Sequence, residues 1–596
     1  MTIPPADIPP AHTKSADASN ADTSRRSFVA RVLMLVLLAV GPLLPTLRAP
    51  FVYDDTTIIR DNVLLRGWGA IVHVWSQPYW PSEGVDALGL YRPFHMALLA
   101  AVWNITGGSA RLMHFYALVL AALAALGVWW MLRRGVGTGA ALVGAAWFAT
   151  QPLHVEAIAS IANTSELVMV ICTVALIWAI GSTQATPADQ ARDWRRAIGI
   201  GLLAAAAIGS KESGLFAVPL AALTVWGWRR SERAEPIASF VRQNTRAWLA
   251  ALVGVAAVLM ARVVVLGAPV SRGSIAAQGL SALSGPDRVV TMLSLWPRIV
   301  GMLAWPTALS PFYGPSIFPA HRAGLALLSV GIVIALAAIC VVMARRGDRR
   351  PLVALGWIVL TYFPASNLAE ATGQILADRT LFGATVGVAF AIAWGLDRLP
   401  QFGRRLAMVM IAIVIGRAML VGTHYAIAWT SHRSLWLRLA ESQPNEHLSY
   451  KLLGMDARAR GDTVRALELL ERAFAMAPKD RQLRFEVGQA QYSAHKFGAA
   501  ASTLAPLLKD GDARGEPGFV ALYLDAVGRA AGPEAVVRAA SPLLHSETAP
   551  VAALFVGVAM EQLGRPSAAD SAYALGLTHS PADSALLARR AALKAH

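Results

Sequence analysis

Residues 24–55, "SRRSFVARVLMLVLLAVGPLLPTLRAPFVYDD", place a pair of arginines before a long apolar run and a pair of aspartates after it. The apolar run is long enough to cross a bilayer as a helix. The twin arginines resemble an export signal, but no small-residue cleavage site follows them and many more apolar runs do. This stretch therefore predicts a retained first transmembrane helix that ends at two adjacent carboxylates.

The composition divides the chain into three parts. The chain has 596 residues, 55% hydrophobic and only 15% charged, a balance not typical of soluble proteins. Residues 1–27 are rich in Pro, Ala, Ser, Thr and Asp, and we expect them to form a disordered cytoplasmic tail. Apolar runs separated by short polar loops fill residues 28–426, and residues 430–596 have the pattern of paired amphipathic helices. The sequence therefore predicts an all-α chain, with a polytopic transmembrane bundle followed by helical repeats.

Short arginine clusters between the apolar runs indicate the topology, because positively charged loops stay on the cytoplasmic side. With a cytoplasmic N-terminus and eleven crossings, every cluster falls on that side. Two further apolar stretches, 93–103 and 289–306, are expected to be re-entrant or interfacial; if one of them crosses with a further partner, the total rises to thirteen. The eleven runs lie near 28–48, 111–132, 138–152, 163–183, 196–209, 213–229, 247–267, 323–344, 351–367, 380–396 and 405–425.

The charge and the cysteines exclude two classes of site. A net charge of +16 is compatible with nucleic-acid binding, but the arginines cluster in short loops and form no basic face interleaved with aromatic residues. The two cysteines, Cys172 and Cys340, both lie within apolar runs and are interpreted as small core residues. The sequence therefore predicts no nucleic-acid partner, disulfide or zinc site.

The predicted topology places the loops that mix acids, bases and histidines on the non-cytoplasmic face, where the first outer loop spans 49–110. Asp54 and Asp55 lie in this loop, at the mouth of the first helix. They are either a helix-capping pair in a solvated loop or a general base beside a carboxylate that positions an acceptor. The residues alone leave these two readings open.

Two further outer loops carry ionisable residues. In "GSKESG", residues 209–214, Lys211 and Glu212 interrupt a long apolar stretch. Ionisable residues near membrane depth are costly and usually functional, and a lysine can hold a phosphate as a point charge; a tight turn is the alternative. His154 and Glu156 lie two residues apart, without further zinc ligands at suitable spacing, which favours a hydrogen-bonded loop histidine. No metal site or cofactor is predicted, and a need for a divalent metal stays open.

Arg298 and Arg379 lie in or beside apolar segments, and the predicted topology places both in the outer half of the membrane. Each either extends to the membrane interface or holds a lipid phosphate, since the guanidinium fork matches phosphate oxygens. Carboxylates for an acceptor hydroxyl and cations for a phosphate are the groups needed to move a sugar from a lipid phosphate. The sequence has no P-loop, dinucleotide fingerprint or serine-hydrolase elbow that would favour another chemistry.

The spacing of small residues predicts tetratricopeptide repeats in the C-terminal part. Gly454 and Gly488 are 34 residues apart, the length of this repeat, and Gly557 belongs to a last unit in the same phase. Residues 515–549 are irregular, and we expect a shortened helical pair there. Such repeats stack into a solenoid with a concave face, which suits either scaffolding or the binding of a protein acceptor.

Several motifs, in this order, resemble those of the transmembrane and tetratricopeptide-repeat (TMTC) O-mannosyltransferases and their bacterial relatives, within the GT-C class. The resemblance covers residues 28–596. It implies a GT-C-type helix bundle and a polyprenyl-phosphate sugar donor, typically mannose, with transfer to an acceptor hydroxyl on the outer or lumenal face. The motifs are "FVYDD", "YRP" at 91–93, "QPLHVEAIA", "SKE", "LAWPTALSPFY", "FPASNL", "DRTLF" and "WTSHRSLWLRLAESQPN".

Carried over to this chain, the resemblance implies that Asp54 is the catalytic base and that Asp55 orients the acceptor and raises the pKa of Asp54 by like-charge repulsion. The reaction would be a single displacement that inverts the anomeric carbon. The implied donor-phosphate contacts are Arg92, Lys211 and Arg379, and Arg298 is added to them from its charge and its place in an apolar segment. The residues implied to support them are His154, Glu156, Glu212 and Asp378.

The chain departs from the family pattern at two positions. Gln151 stands where relatives commonly have histidine before the proline, which weakens the case for donor or metal binding by that loop. Asp378 stands where they commonly have glutamate before the arginine, a shorter carboxylate in the same place.

Two alternatives to a glycosyltransferase remain. One is a non-catalytic membrane scaffold whose repeats recruit envelope proteins. The other is a transporter of lipid-linked sugars, which predicts inverted repeats in the membrane part. The bacterial type of the resemblance predicts the inner membrane, with the N-terminus cytoplasmic and both the active site and the repeats periplasmic.

Overall fold

The computed structural model describes residues 13–80, 89–181, 193–228, 245–267, 279–509 and 516–595, and also residues 239, 242 and 277. Over these residues the regular structure is helical throughout, which confirms the predicted all-α class. The chain divides into two compact units, Met1–Arg438 and Leu439–His596.

The first unit contains long apolar helices and several short ones. A 3₁₀ segment, Gly41–Arg48, extends the first helix. The helices are α1 (Thr13–Val40), α2 (Ala70–His73), α3 (Pro93–Thr106), α4 (Ala110–Gly135), α5 (Thr138–Ala149), α6 (Val155–Ala159), α7 (Ser165–Gly181), α8 (Asp193–Ser210), α9 (Ala217–Trp228), α10 (Thr245–Leu266), α11 (Gly285–Ser294), α12 (Trp296–Ala304), α13 (Arg322–Arg345), α14 (Arg350–Tyr362), α15 (Phe382–Arg398) and α16 (Gln401–Ala428).

Seven helical segments in the described residues are long and apolar enough to cross a membrane, fewer than the eleven predicted crossings. Two predicted spans are shorter helices, Thr138–Ala149 and Arg350–Ala365, so the number of crossings stays a prediction. The chain is an integral membrane protein. The seven segments are Arg25–Arg48, Ala110–Gly135, Ile161–Gly181, Thr245–Leu266, Arg322–Arg345, Asp378–Arg398 and Gln401–Ala428.

The start of the chain differs in part from the predicted disordered tail at 1–27. Residues 1–12 lie outside the described residues, whereas α1 already begins at Thr13. Ala favours a helix, and Ser and Asp each cost at most ~0.7 kcal/mol relative to it, so the polar stretch can join the apolar helix that follows it. The predicted re-entrant stretch at 93–103 lies within α3, which at 14 residues is too short to cross a bilayer.

The segment that follows the first helix, residues 49–80, is packed and not an open loop. Ile58, Ile59 and Leu65 are almost completely buried, in one cluster with Leu99 and Ala100 of α3. Each buried side chain of this size contributes ~1.5–3 kcal/mol relative to an exposed one. The cluster therefore fixes the backbone on which the two aspartates stand.

The second unit consists of antiparallel helix pairs. Gly454 lies against Leu470, Gly488 against Leu504 and Gly557 against Tyr573, where a Cβ atom would be within 3.0 Å of the opposing side chain. These in-phase glycines therefore allow the two helices of each pair to approach closely. The helices are α18 (His447–Ala459), α19 (Thr463–Met476), α20 (Arg481–Ser493), α21 (Phe497–Leu504), α22 (Pro517–Ala531), α23 (Pro533–Ala540), α24 (Ala549–Gln562), α25 (Pro566–His579) and α26 (Ser584–Ala595).

The irregular stretch at 515–549 contains a long helix, α22, and a second helix, α23, of only 8 residues. The pair is therefore shortened in its second helix. One more helix, α17 (His432–Ser442), contains the boundary between the two units.

Candidate active site

Asp54 lies in the turn that follows the 3₁₀ segment Gly41–Arg48. Its side chain is half-buried, and within the described part of the chain it makes no direct hydrogen bond or ion pair. Burial raises the pKa of Asp54 above its ordinary value, and the positive charges of Arg379 and Arg92 lower it in part. A carboxylate that is accessible, unpartnered and flanked by cations is suited to accept a proton from a bound hydroxyl.

Asp55 has a different environment from its neighbour. Its side chain is completely buried. One oxygen, Oδ1, accepts hydrogen bonds from the Ser160 hydroxyl (3.1 Å) and the Ala162 N–H (2.8 Å), and Oδ2 accepts one from the Ile161 N–H (2.9 Å). Burial raises the pKa of Asp55 to about 7, although these three hydrogen bonds lower it. Both oxygens are thus used inside the protein.

This geometry bears on the expected role of Asp55 in orienting the acceptor. Both carboxylate oxygens of Asp55 already accept hydrogen bonds from the chain, so its role in orienting the acceptor stays a prediction. The source of the raised pKa of Asp54 differs from the expectation, because it is burial and not the charge of Asp55. The structure uses Asp55 to tie the Asp54 turn to the loop at 160–162.

Arg92 forms a two-point ion pair with Glu212. Its Nε and Nη2 atoms donate to the two carboxylate oxygens of Glu212 at 3.0 and 2.8 Å. The guanidinium also lies over the ring of Tyr79, 4.8 Å from its centroid. Burial raises the pKa of Glu212, but the charges of Arg92 and Lys211 outweigh burial and lower it to about 2. Glu212 therefore stays ionised and neutralises Arg92.

Lys211 lies at the break between α8 and α9, as the sequence predicts, and is paired with an acid that the sequence analysis did not single out. Its Nζ atom is 3.0 Å from Oε1 of Glu166 at the start of α7, and both side chains are mostly buried. An ionisable residue opening an apolar helix is a signal that could have identified Glu166. The lysine is thus neutralised in place.

Arg379 pairs with Glu156, which accepts both the Arg379 backbone N–H (2.9 Å) and the guanidinium. The adjacent Asp378 accepts the hydroxyl of Tyr313 at 2.6 Å and the backbone N–H of Ser310 at 3.3 Å. The predicted residues Glu156, Asp378 and Arg379 therefore form one contiguous cluster. Tyr313, which the sequence analysis missed as a site residue, links the cluster to the loop at 309–313.

Arg298 differs from the other three predicted phosphate contacts. It is exposed on α12, 5.7 Å from the centroid of the Tyr313 ring, and within the described residues it has no carboxylate partner. Tyr313 in turn binds Asp378, so Arg298 lies at the edge of the same cluster.

His154 is structural in this arrangement. Its Nε2 atom is 2.8 Å from the Thr385 hydroxyl, and its ring packs between Phe148 and Phe382, with centroids 4.7 and 4.3 Å away. This agrees with the hydrogen-bonded loop histidine that the sequence favoured. Among the residues described, no three His, Cys, Asp or Glu side chains converge as ligands for a metal ion.

The site therefore consists of Asp54 between two clusters of charge. The first, which we call the Arg92 cluster, contains Arg92, Lys211, Glu166 and Glu212. The second, the Arg379 cluster, contains Arg379, Glu156, Asp378 and Tyr313. The positive ends of both clusters act on Asp54, and the cations within each are balanced by carboxylates.

The fold and the site together define a helical membrane protein with a cluster of ionisable residues in the loops that follow its helices. The family model of the dolichyl-phosphate-mannose-protein mannosyltransferases matches residues 92–260. That range includes the whole Arg92 cluster and Glu156, but not Asp54.

Curated relatives resemble a larger part of the chain. Protein O-mannosyl-transferase Tmtc3 of Drosophila melanogaster is 23% identical over 532 residues, covering 77% of this chain and 57% of the relative. TMTC3 of Mus musculus is 20% identical, covering 74% of this chain and 50% of the relative. The chain spans about half the length of the relatives it matches. These matches confirm the resemblance to TMTC-type O-mannosyltransferases and support the prediction of a glycosyltransferase.

Two solved structures align with the chain at low similarity. ArnT from Cupriavidus metallidurans, bound to undecaprenyl phosphate, aligns with a TM-score of 0.38 and 14% identity, over 80% of each chain. The Archaeoglobus fulgidus oligosaccharyltransferase, tethered to an acceptor peptide, aligns with a TM-score of 0.35 and 13% identity, over 68% of this chain and 55% of its own.

Proposed function

We propose that this chain is a glycosyltransferase that moves a sugar, mannose, from a polyprenyl-phosphate donor to an acceptor hydroxyl on a protein. The resemblance to O-mannosyltransferases supports the reaction class. The single structural observation that carries the proposal is the half-buried carboxylate of Asp54, unpartnered in the described chain and flanked by Arg92 and Arg379.

The proposed reaction is one displacement at the anomeric carbon. The acceptor hydroxyl gives its proton to Asp54 while its oxygen forms a bond to the anomeric carbon. The bond from that carbon to the phosphate oxygen breaks on the opposite face, so the configuration inverts and polyprenyl phosphate leaves with the bonding electrons. Because phosphate is a good leaving group, it needs charge stabilisation more than protonation.

The cations have two different roles in this proposal. Arg92, Lys211 and Arg379 are already paired with glutamates, and the guanidinium charges of Arg92 and Arg379 still act on the Asp54 carboxylate. Arg298 is exposed and has no carboxylate partner within the described residues, so we assign it the direct contact to the donor phosphate. Fixed dipoles and charges need no reorganisation during the reaction, which is why paired cations still contribute.

We further propose a bacterial inner-membrane location, with the N-terminus in the cytoplasm and the reaction on the periplasmic face. The distribution of arginines along the sequence supports this orientation. The helical pairs of the second unit are proposed to bind the protein acceptor, as repeat solenoids bind extended peptides. This assignment rests on the spacing of Gly454, Gly488 and Gly557.

The test is a transfer assay in liposomes, with radiolabelled polyprenyl-phosphate mannose and total envelope protein. The wild type is compared with Asp54→Asn and with the matched control Asp61→Asn. Asp61 is exposed and paired with its neighbour Arg60, outside both clusters. We expect label to enter protein with the wild type and Asp61→Asn, and not with Asp54→Asn.

Two outcomes contradict the proposal. Full transfer by Asp54→Asn would remove Asp54 from the chemistry. If the folded wild type transfers no sugar from a panel of polyprenyl-phosphate donors, the enzyme assignment fails and the scaffold becomes the better explanation.

A further inference from the structure

The turn that carries Asp54 has a strained backbone at the preceding residue. Tyr53 has a φ of 59°, in the left-handed region that bulky residues rarely adopt. The turn is closed by hydrogen bonds from the Asp55 N–H to the Val52 carbonyl (3.2 Å) and from the Thr56 N–H to the Tyr53 carbonyl (3.1 Å). A tyrosine keeps such a conformation only where its surroundings impose it.

The surroundings of Tyr53 come from the end of α16 and the start of α17. The Nε2 atom of His432 accepts a hydrogen bond from the Tyr53 backbone N–H at 3.2 Å. The Tyr53 ring packs edge-on against two buried indoles, with centroids 6.4 Å from Trp429 and 5.6 Å from Trp436. These contacts hold both the backbone and the side chain of the strained residue.

The same short helix also binds the loop at 309–313, which supports the Arg379 cluster. The Nε atom of Arg438 donates to the Leu309 carbonyl at 3.1 Å. The next residue, Ser310, donates its N–H to Asp378. The first two turns of α17 therefore bind the loop that bears Asp54 and the loop that supports Asp378.

We propose that His432 is a positioning residue for Asp54. Its Nε2 atom holds the left-handed turn at Tyr53 and thereby fixes the direction of the Asp54 carboxylate relative to the two cation clusters. The inference rests on the proposed function, because the position of Asp54 matters only if Asp54 receives the acceptor proton. His432 itself touches neither donor nor acceptor in this account.

The chemistry of the hydrogen bond selects the test variants. An N–H donor requires an acceptor atom at the position of Nε2, which the Oε1 atom of a glutamine side chain can supply and an alanine cannot. His432→Gln should therefore restore what His432→Ala loses. His424→Ala is the matched control, since His424 is an exposed histidine on the neighbouring helix α16.

The activity experiment measures kcat and the donor KM of the full chain in liposomes. Small misplacements of a reacting group cost up to ~100-fold in rate. We expect His432→Ala to lower kcat ~10- to 100-fold with the donor KM within about twofold, and His432→Gln to recover most of kcat. Unchanged kcat in His432→Ala, or an equal loss in His432→Gln and His432→Ala, overturns the proposal.

A second measurement keeps the test independent of catalysis. Hydrogen exchange by mass spectrometry reports on the amides of residues 51–60. We expect faster exchange there in His432→Ala than in the wild type, His432→Gln or His424→Ala.

If the wild type transfers no sugar but this pattern appears, the proposed function fails while the structural link stands. Exchange at wild-type rates in folded His432→Ala refutes the link itself. If His432→Ala does not fold, the test uses His432→Gln alone. A folded His432→Gln that loses kcat and exchanges faster at residues 51–60 refutes the role of the His432 Nε2 atom as a hydrogen-bond acceptor.

Discussion

The two adjacent aspartates should respond in opposite ways to the same substitution. Asp54→Asn removes a carboxylate that makes no direct hydrogen bond or ion pair within the described residues. Asp55→Asn alters a carboxylate that accepts three hydrogen bonds in a completely buried position. We therefore expect the first variant to lose transfer and keep its stability, and the second to lose stability.

The expected losses of stability and activity follow from the hydrogen bonds that each aspartate makes. In Asp55→Asn the remaining carbonyl oxygen keeps the bonds from Ser160 and Ala162, but the new NH₂ group faces the Ile161 N–H, which costs ~1–3 kcal/mol for one buried donor left unpaired. Asp55→Ala leaves all three donors unpaired, which costs roughly 3–9 kcal/mol at the same ~1–3 kcal/mol each. Asp54→Asn should stay within about 0.5 kcal/mol of the wild type, while kcat falls ~10²- to 10⁴-fold.

The assay pairs thermal unfolding in detergent with sugar transfer for each variant. The expected order of unfolding temperatures is wild type and Asp54→Asn highest, Asp55→Asn lower and Asp55→Ala lowest. Transfer per folded molecule should survive better in Asp55→Asn than in Asp54→Asn. If Asp55→Asn is as stable as the wild type but inactive, Asp55 acts in the chemistry and the assignment of the two carboxylates is wrong.

Three further outcomes follow from the charges around the site. Because burial raises the pKa of Asp54, kcat/KM should fall on the acid side with an apparent pKa above 3.8, and a rate independent of pH down to that value would contradict a carboxylate base. Arg298→Ala should raise the donor KM ~10- to 100-fold with unchanged unfolding temperature, because one charge-assisted contact is lost from an exposed residue; an unchanged KM argues against the phosphate contact. Lys211→Ala should destabilise the protein by ~3–5 kcal/mol because it leaves Glu166 buried and unpaired. Adding Glu166→Gln should recover part of this loss of stability, which a double-mutant cycle measures.

The sequence predicted the all-helical class and most of the residues that the structure brings together. Long apolar runs have one physical solution, a helix, so the class followed from composition. Lys211 and Glu212 were recognisable because charge inside an apolar stretch is expensive. Arg379 was found from its position beside an apolar run, whereas Asp378 was identified only through the family resemblance.

What the sequence could not predict was how the charges pair. Glu166 and Lys211 are 45 positions apart, and Arg92 and Glu212 are 120 apart, so only the packing of the helices decides which acid meets which base. The different roles of Asp54 and Asp55 could not be predicted from the sequence either, since two identical neighbours differ only in the direction of their side chains. The number of crossings also stayed open, because several predicted spans are short or broken helices.

The pairing explains how a membrane protein can keep so many charges near an apolar bundle. An unpaired buried charge is very costly, whereas a pair with good geometry is tolerated. Arg92, Lys211 and Arg379 each have a glutamate partner, so their charge is stabilised before any substrate arrives. In the proposed reaction, the donor phosphate would enter a site whose cations are already held in place by these pairs.

Asp54 is the counterpart of this arrangement, a carboxylate that makes no direct hydrogen bond or ion pair with the described residues. If Arg379 or Arg92 were free to bind it, a salt bridge would lower its pKa and make it a poor base. Their engagement by Glu156 and Glu212 prevents that, and burial then raises the pKa of Asp54 instead. The two glutamates therefore act on the base through the arginines they occupy. Replacing either glutamate by glutamine frees an arginine for Asp54 and should lower the apparent pKa on the acid side of the pH–rate profile. An unchanged apparent pKa would show that these ion pairs do not tune Asp54.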